Sequence, residues 1–141
     1  MTLGNAGLRF IDHVGVVVKD LDSAIDLFTA TYGLSKELVE EVPSVGVRLA
    51  FLRTAESGQR TTLQLVEPIA PGPVMEFLSS HGEGLHHVCF GVDQIQPLLT
   101  QLPDERGVDV FTGGRGRLAC FLSQRPSGTL IEFTQIGTGV P

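Results

Sequence analysis

The sequence predicts an α+β fold in which two βαβββ modules pair to form one curved sheet. A short apolar segment with a central histidine occurs twice, as Ile-Asp-His-Val-Gly-Val at 11–16 and as Leu-His-His-Val-Cys-Phe at 85–90. Each copy leads into a helix-like pattern and then into apolar stretches, the last of which contains one polar residue, Gln64 or Glu132. A polar side chain inside an apolar strand is costly unless it finds a partner.

The first module begins with a strand at about 10–18. Asp20 can cap the following helix, and Gly33 can end it as a C-terminal glycine cap. The apolar face of this helix follows helical spacing and comprises Leu21, Ala24, Ile25, Phe28 and Tyr32. Strands follow at about 35–42, 47–53 and 61–67.

A short linker helix is predicted at about 72–80, with Pro73 in its first turn. The second module repeats the order, with a strand at 85–92 and a helix whose start is marked by Asp93 and Gln96 at capping-box spacing. Its remaining strands are predicted at about 108–111, 117–123 and 129–135. We therefore expect a single domain over 1–141, with module one at about 9–68 and module two at about 84–135.

The composition and charge of the chain argue against nucleic acid and membranes as partners. With 141 residues and a net charge of -6, the chain has no basic stripe that would favour nucleic acid or an anionic membrane. Residues 1–9 lack the apolar core of a signal peptide, and no apolar run is long enough to span a membrane. Cys89 and Cys120 lack Cys-x-x-Cys spacing, so we expect reduced, buried cysteines in a cytoplasmic protein.

Four residues are candidate ligands of one divalent metal. If the modules pair about a pseudo-twofold axis, His13 becomes equivalent to His87, and Gln64 to Glu132. Nitrogen and oxygen ligands without a thiolate suit a metal such as Co, Mn, Ni, Zn, Mg or Fe. One carboxylate among neutral ligands leaves the metal a strong Lewis acid, able to polarise a carbonyl. The alternative for each histidine alone is a hydrogen-bonded core residue.

Three further residues are candidates for contact with substrate. Cys89 lies two positions after His87, so it falls on the same strand face and is expected to line the pocket. Arg115 and Arg117 lie in the glycine-rich turn 113–117, where they could clamp an anionic group. The alternative for this turn is a solvated hairpin.

These motifs resemble the vicinal oxygen chelate superfamily and, within it, methylmalonyl-CoA epimerase. The resemblance runs from Ile11-Asp12-His13-Val14 to Ile131-Glu132-Phe133 and includes the segments 46–48, 65–68, 77–78, 84–88 and 128–132. It implies paired βαβββ modules in a half-open barrel, four metal ligands at His13, Gln64, His87 and Glu132, and a homodimer. The implied substrate is a malonyl-type acyl thioester whose α-proton is removed and returned on the opposite face.

The sequence departs from the epimerase pattern at one catalytic position. The family has a glutamate after the proline of its Pro-Glu segment, and here Ser44 follows Pro43. A serine hydroxyl cannot act as the base near neutral pH. Glu41 or Glu40 could reach the site if the strand register shifts, or Glu132 could serve as both ligand and base with one-sided proton transfer.

Three classes of function stay open. The first is a metal-dependent isomerase that stabilises an enolate, or a related lyase or cyclase of secondary metabolism acting on another carbonyl compound. The second is a non-catalytic binding or resistance protein of the same fold, although such proteins usually lack the ligand set. The third, an Fe(II) dioxygenase, would use two histidines and one carboxylate with three open positions, and Gln64 as a fourth ligand argues against it.

Overall fold

The computed structural model describes residues 3–4, 7–56 and 58–137. The order of elements is strand, helix and three strands, twice, with one helix between the repeats, which confirms the predicted α+β class. The strands are β1 (Leu8–Val17), β2 (Ser35–Val42), β3 (Val47–Arg53), β4 (Thr62–Pro68), β5 (Gly84–Val92), β6 (Phe111–Thr112), β7 (Leu118–Phe121) and β8 (Ile131–Gln135). The helices are α1 (Leu21–Asp26), α2 (Pro73–His81) and α3 (Ile95–Thr100).

The chain divides into two compact units. The first unit is His13–His86, and the second comprises the described parts of 1–12 and 87–141. The first unit has the strand order β2-β3-β4-β1, and the second has β5-β8-β7-β6. In both units, one parallel pair (β1 with β4, or β5 with β8) is extended by antiparallel strands.

The sheet of the first unit has two buried faces. One face packs on α1 through Ala50, Leu52 and Leu65, which contact Leu21 and Ile25. The opposite face carries the alternate residues of the same strands, namely Val42, Val47, Leu49, Phe51 and Val66. Because side chains alternate along a strand, Gln64 lies on this second face, away from α1.

The helix of the first unit follows the prediction at its start and departs from it at its end. Asp20 caps it by accepting a hydrogen bond from the Ser23 N–H at 3.0 Å. A π-helical turn, Leu27–Thr31, then follows α1. The wider i→i+5 turn moves later residues off the apolar stripe. Tyr32 is therefore 66% exposed, and its predicted place on the buried face was wrong.

The second unit caps its helix with a residue distant in sequence. Contrary to the predicted capping box of Asp93 and Gln96, the N-cap residue is Gln94, which makes no side-chain cap. The Ile95 N–H instead donates to Gln135 Oε1 on β8, at 3.1 Å. The helix then buries Leu98 and Leu99, with Ile95, against β7 and β8. A tertiary contact replaces the local one that the spacing predicted.

The last three strands of the second unit are shorter than predicted, and β8 begins at Ile131 instead of 129. The predicted 108–111 is reduced to β6, and the predicted 117–123 ends with β7 at Phe121. The buried carboxylate of Glu105 accepts hydrogen bonds from the N–H and Oγ of Ser123 and from the Gln124 N–H, at 2.6, 2.9 and 3.1 Å. These backbone groups bond to a side chain, so they do not extend the ladder.

The two cysteines are free and buried, as predicted. No helix in the described part of the chain has the length and apolar character needed to cross a membrane.

Candidate active site

The first unit buries two of the four predicted metal ligands on one face. His13 is on β1 and Gln64 on β4, and both are at most 5% exposed. In the parallel pairing of these strands, Gln64 lies opposite Gly15, which shares a strand face with His13. Phe51 of β3 lies opposite Gln64 on its other side. The His13 ring meets the Phe51 ring edge-on, with centroids 5.4 Å apart.

The amide of Gln64 contains a buried oxygen that lacks a hydrogen-bond partner among the described residues. A buried acceptor in this state costs about 1–3 kcal/mol. An amide oxygen is also a suitable ligand for a hard divalent cation. This atom therefore has the chemistry expected of a ligand whose partner is a metal.

The second unit repeats this arrangement with His87 and Glu132. Both side chains are buried, and His87 Nε2 lies 3.1 Å from Glu132 Oε1. Glu132 is opposite Cys89 of β5 on one side and opposite Phe121 of β7 on the other. The rings of His87 and Phe121 meet edge-on at 5.3 Å.

The two units thus share one local pattern. In each, a histidine on the first strand of a module contacts a phenylalanine on the third strand. That phenylalanine lies opposite a polar residue on the fourth strand. The repeat was visible in the sequence for the histidines and polar residues, but the edge-on contacts with Phe51 and Phe121 needed the strand register.

Cys89 lies against Glu132 as an uncharged thiol. It is fully buried, and this burial, together with the negative charges of Glu132 and Asp12, raises the pKa of the Cys89 thiol well above its usual range. A protonated thiol is a poor nucleophile. Its position beside Glu132 is compatible with the predicted pocket-lining role.

Arg115 and Arg117 both bind Asp12, a partner that the sequence did not predict. Arg115 donates to Asp12 Oδ2, and Arg117 Nη1 lies 3.4 Å from Asp12 Oδ1. The Arg115 backbone adopts φ 61°, a left-handed conformation that is uncommon outside glycine. Burial and the neighbouring Arg115 charge lower the pKa of Arg117, against the raising effect of Asp12. The turn is therefore anchored by an ion cluster and is not a solvated hairpin.

The candidates for the altered catalytic position fall in different places. Ser44 is exposed in the 3-10 turn Pro43–Val45. Glu41 is exposed and lies opposite Arg48, which bonds to Asp22 of α1 at 3.0 Å. Glu41 is therefore on the α1 face of the sheet. Glu40 is half-buried and lies opposite Leu49, on the face that carries Gln64.

Comparison with known proteins gives a consistent result. Residues 12–121 match the family model of the Glyoxalase/Bleomycin resistance protein/Dioxygenase superfamily. The uncharacterized protein YqjC of Bacillus subtilis is 30% identical over 131 residues, covering 89% of this chain and 91% of that protein. Ethylmalonyl-CoA/methylmalonyl-CoA epimerase of Cereibacter sphaeroides is 27% identical over 135 residues, covering 89% and 97%.

Solved structures confirm the predicted fold. A variant of Streptomyces coelicolor methylmalonyl-CoA epimerase, in complex with 2-nitronate-propionyl-CoA, aligns with a TM-score of 0.80 and 33% identity. The alignment covers 94% of this chain and 97% of that chain. The fold and the epimerase resemblance inferred from the motifs are both supported by these matches.

Proposed function

This chain belongs to the Glyoxalase/Bleomycin resistance protein/Dioxygenase superfamily, and we propose that it is a metal-dependent enzyme that moves a proton next to a carbonyl group. The proposed substrate class is a small acyl thioester of the methylmalonyl-CoA type. The observation that carries the proposal is the repeated arrangement of a buried histidine, a phenylalanine and a buried oxygen ligand in the two units. The proposed location is the cytoplasm, and the proposed oligomeric state is a homodimer.

The proposed metal ligands are His13, Gln64, His87 and Glu132. The donor set fits a divalent cation, because it combines two imidazoles, an amide oxygen and one carboxylate. The buried Gln64 oxygen supports the fit, since it lacks a hydrogen-bond partner among the described residues. Co, Mn, Ni, Zn, Mg and Fe are all compatible with this set. When bound, such a metal supplies Lewis acidity that stabilises negative charge developing on a carbonyl oxygen.

Glu132 is the proposed base. A carboxylate has two oxygens, so Glu132 can serve as a ligand through one and accept the α-proton through the other. Glu132 is buried on β8, opposite Cys89 of β5 and Phe121 of β7, which limits the contact of its carboxylate with water. Glu132 is thereby held at a fixed place on β8, which reduces the entropy lost when the substrate is aligned.

A second candidate function is a related isomerase, lyase or cyclase acting on another carbonyl compound. The residue that favours it is Ser44, which stands where the epimerases have a catalytic glutamate and is exposed in its turn. Arg117 keeps 37% of its side chain exposed, so it is also the proposed contact for an anionic part of either substrate.

The test is deuterium incorporation at the α-carbon of methylmalonyl-CoA by Co(II)-loaded protein in D₂O. Exchange with racemisation supports the epimerase. Exchange without racemisation supports a one-base enzyme whose natural carbonyl substrate differs. Absence of exchange by metal-loaded protein would overturn the thioester as substrate.

The matched variants are His87→Ala and His81→Ala. His81 is an exposed residue that stacks on Phe77. We expect His87→Ala to lose both bound Co(II) and exchange, and His81→Ala to retain both. Full metal content in His87→Ala, measured by elemental analysis after dialysis, would contradict the proposed ligand set.

A further inference from the structure

Epimerisation requires two proton-transferring groups on opposite sides of the α-carbon. When a base removes the α-proton, the C–H electrons move into the carbonyl system and leave a planar enolate. A proton returned by the same base restores the original configuration. A proton returned by an acid on the opposite face inverts it. Since Ser44 cannot be that acid, another residue is required if the proposed function is correct.

Strand register identifies a carboxylate on the face of the first unit that carries a proposed ligand. Glu40 of β2 lies opposite Leu49 of β3, and Leu49 lies opposite Val66 of β4. Val66 is two residues after Gln64, so the four side chains are on the same face. Leu49 and Val66 are buried, so Glu40 ends a row of apolar residues on the Gln64 face.

The other acidic residues of β2, β3 and β4 are placed differently. Glu37 falls in the irregularity between Lys36 and Leu38, so register pairs it with no residue of β3, and its carboxylate is ion-paired with Arg53 at 2.7 Å. Glu41 lies on the α1 face opposite Arg48. Glu67 also faces α1, where it accepts the Leu21 N–H at 3.0 Å. Glu40 is therefore the acidic residue of these three strands that register places on the face of Gln64, next to buried apolar residues.

The distance between Glu40 and Gln64 suits a role for Glu40 in acting on the substrate. Glu40 is two strands away from β4, about 10 Å across the sheet, and its row is about 7 Å along the strand from Gln64. Two extended side chains and a small acyl group can together span this distance. Glu40 is too far away to be a ligand of the same ion as Gln64, and it is close enough to face an acyl group bound there.

We propose that Glu40 is the second acid/base residue of this enzyme, replacing the glutamate that the epimerases have at the position of Ser44. The inference rests on the proposed function. In one direction Glu132 accepts the α-proton, and the carboxylic acid of Glu40 donates its proton to the opposite face of the enolate carbon. In the other direction the two residues exchange roles. Each carboxyl group then re-equilibrates its proton with solvent, so no other reactant is needed.

The experiment measures α-deuteration separately for (2R)- and (2S)-methylmalonyl-CoA, together with inversion, in Co(II)-loaded full-length protein. We expect Glu40→Gln to lose inversion by about 100- to 10,000-fold. It should still exchange the enantiomer whose proton faces Glu132, and lose exchange of the other. Glu40→Asp should recover part of the inversion. Glu37→Gln, on the same strand and paired with Arg53, is the matched control and should leave both rates unchanged.

Three results would overturn the assignment of Glu40. The first is inversion by Glu40→Gln at the rate of the unsubstituted protein. The second is equal loss of exchange for both enantiomers while Co(II) content is retained. The third is the one-sided pattern appearing in Glu41→Gln in place of Glu40→Gln. Absence of any exchange by the unsubstituted, Co(II)-loaded protein would instead overturn the thioester as substrate, and the assignment of Glu40 with it.

Discussion

Arg115 donates a hydrogen bond to the buried carboxylate of Asp12, the residue directly before His13. Arg117 contacts the other carboxylate oxygen at 3.4 Å. Two cations from a glycine-rich turn thus hold one buried anion of β1. Because Asp12 and His13 are adjacent, this cluster restrains the backbone that carries a proposed metal ligand.

Replacing Asp12 with alanine should destabilise the protein. The change leaves two arginines without their carboxylate, and both are partly solvated, so we expect a loss below the 3–5 kcal/mol of a fully buried pair, about 2 kcal/mol. Urea unfolding of metal-free protein measures the free energy. The exposed pair of Asp22 and Arg48 provides the control, because Asp22→Ala should have little effect. Equal losses of unfolding free energy in the two variants would show that the Asp12 cluster stabilises the protein no more than an exposed ion pair does.

Gln64 should contribute more to the affinity for the metal than to the free energy of unfolding. Gln64→Met has nearly the same volume and removes the buried oxygen that lacks a hydrogen-bond partner among the described residues. We expect the metal-free variant to be as stable as the parent or more stable by up to about 1 kcal/mol. Co(II) affinity, measured by titration calorimetry, should fall at least tenfold. A variant that loses stability and keeps its affinity would identify Gln64 as a core residue.

Ser44→Glu should restore inversion to the Glu40→Gln variant. It places a carboxylate at the position used by the epimerases, and a general acid or base contributes about 100-fold or more. We expect at least a tenfold gain in the rate of inversion over Glu40→Gln alone, measured by chiral analysis of the thioester. Ser44→Gln, which introduces the uncharged isostere of glutamate, should give no gain in the rate of inversion. Equal rates in the two Ser44 variants would show that this turn does not reach the substrate.

The buried thiols should make the protein less stable at alkaline pH. Burial raises the pKa of Cys120 to about 12, whereas the unfolded thiol ionises near 8.5. Between these values the unfolded state loses its proton and the folded state keeps it. The stabilisation is therefore complete below about pH 8.5 and declines as pH rises toward 12.

Cys120→Ala isolates the contribution of that thiol. Urea unfolding between pH 7.5 and 10.5 should show a decline that is shallower in the variant by about 1 kcal/mol per pH unit. The curves of parent and variant should run parallel below pH 8. Parallel curves across the whole range would mean that the Cys120 thiol ionises equally in both states.

Local chemistry was enough to predict much of this protein. The structure shows two strands at the predicted bounds, Ser35–Val42 and Val47–Arg53. Their bounds could be predicted because the pattern of apolar residues and the Pro43–Gly46 turn between the strands are both local features of the sequence. The same pattern identified His13, Gln64, His87 and Glu132 as polar residues in apolar strands, and all four are buried. A strand pattern shows which residues are buried without knowledge of what lies next to them.

Contacts between distant segments decided the rest. Three contacts that the sequence did not predict join residues between 18 and 105 positions apart. They are the cap of α3 by Gln135, the hydrogen bonds between Glu105 and Ser123, and the Asp12 cluster. Spacing within one segment contains no information on such pairs. The faces of Glu40 and Glu41 depend on register with β3, which includes an irregularity between Lys36 and Leu38. A shift of one residue moves every side chain of a strand to the other face, so tertiary pairing alone decides which glutamate faces Gln64.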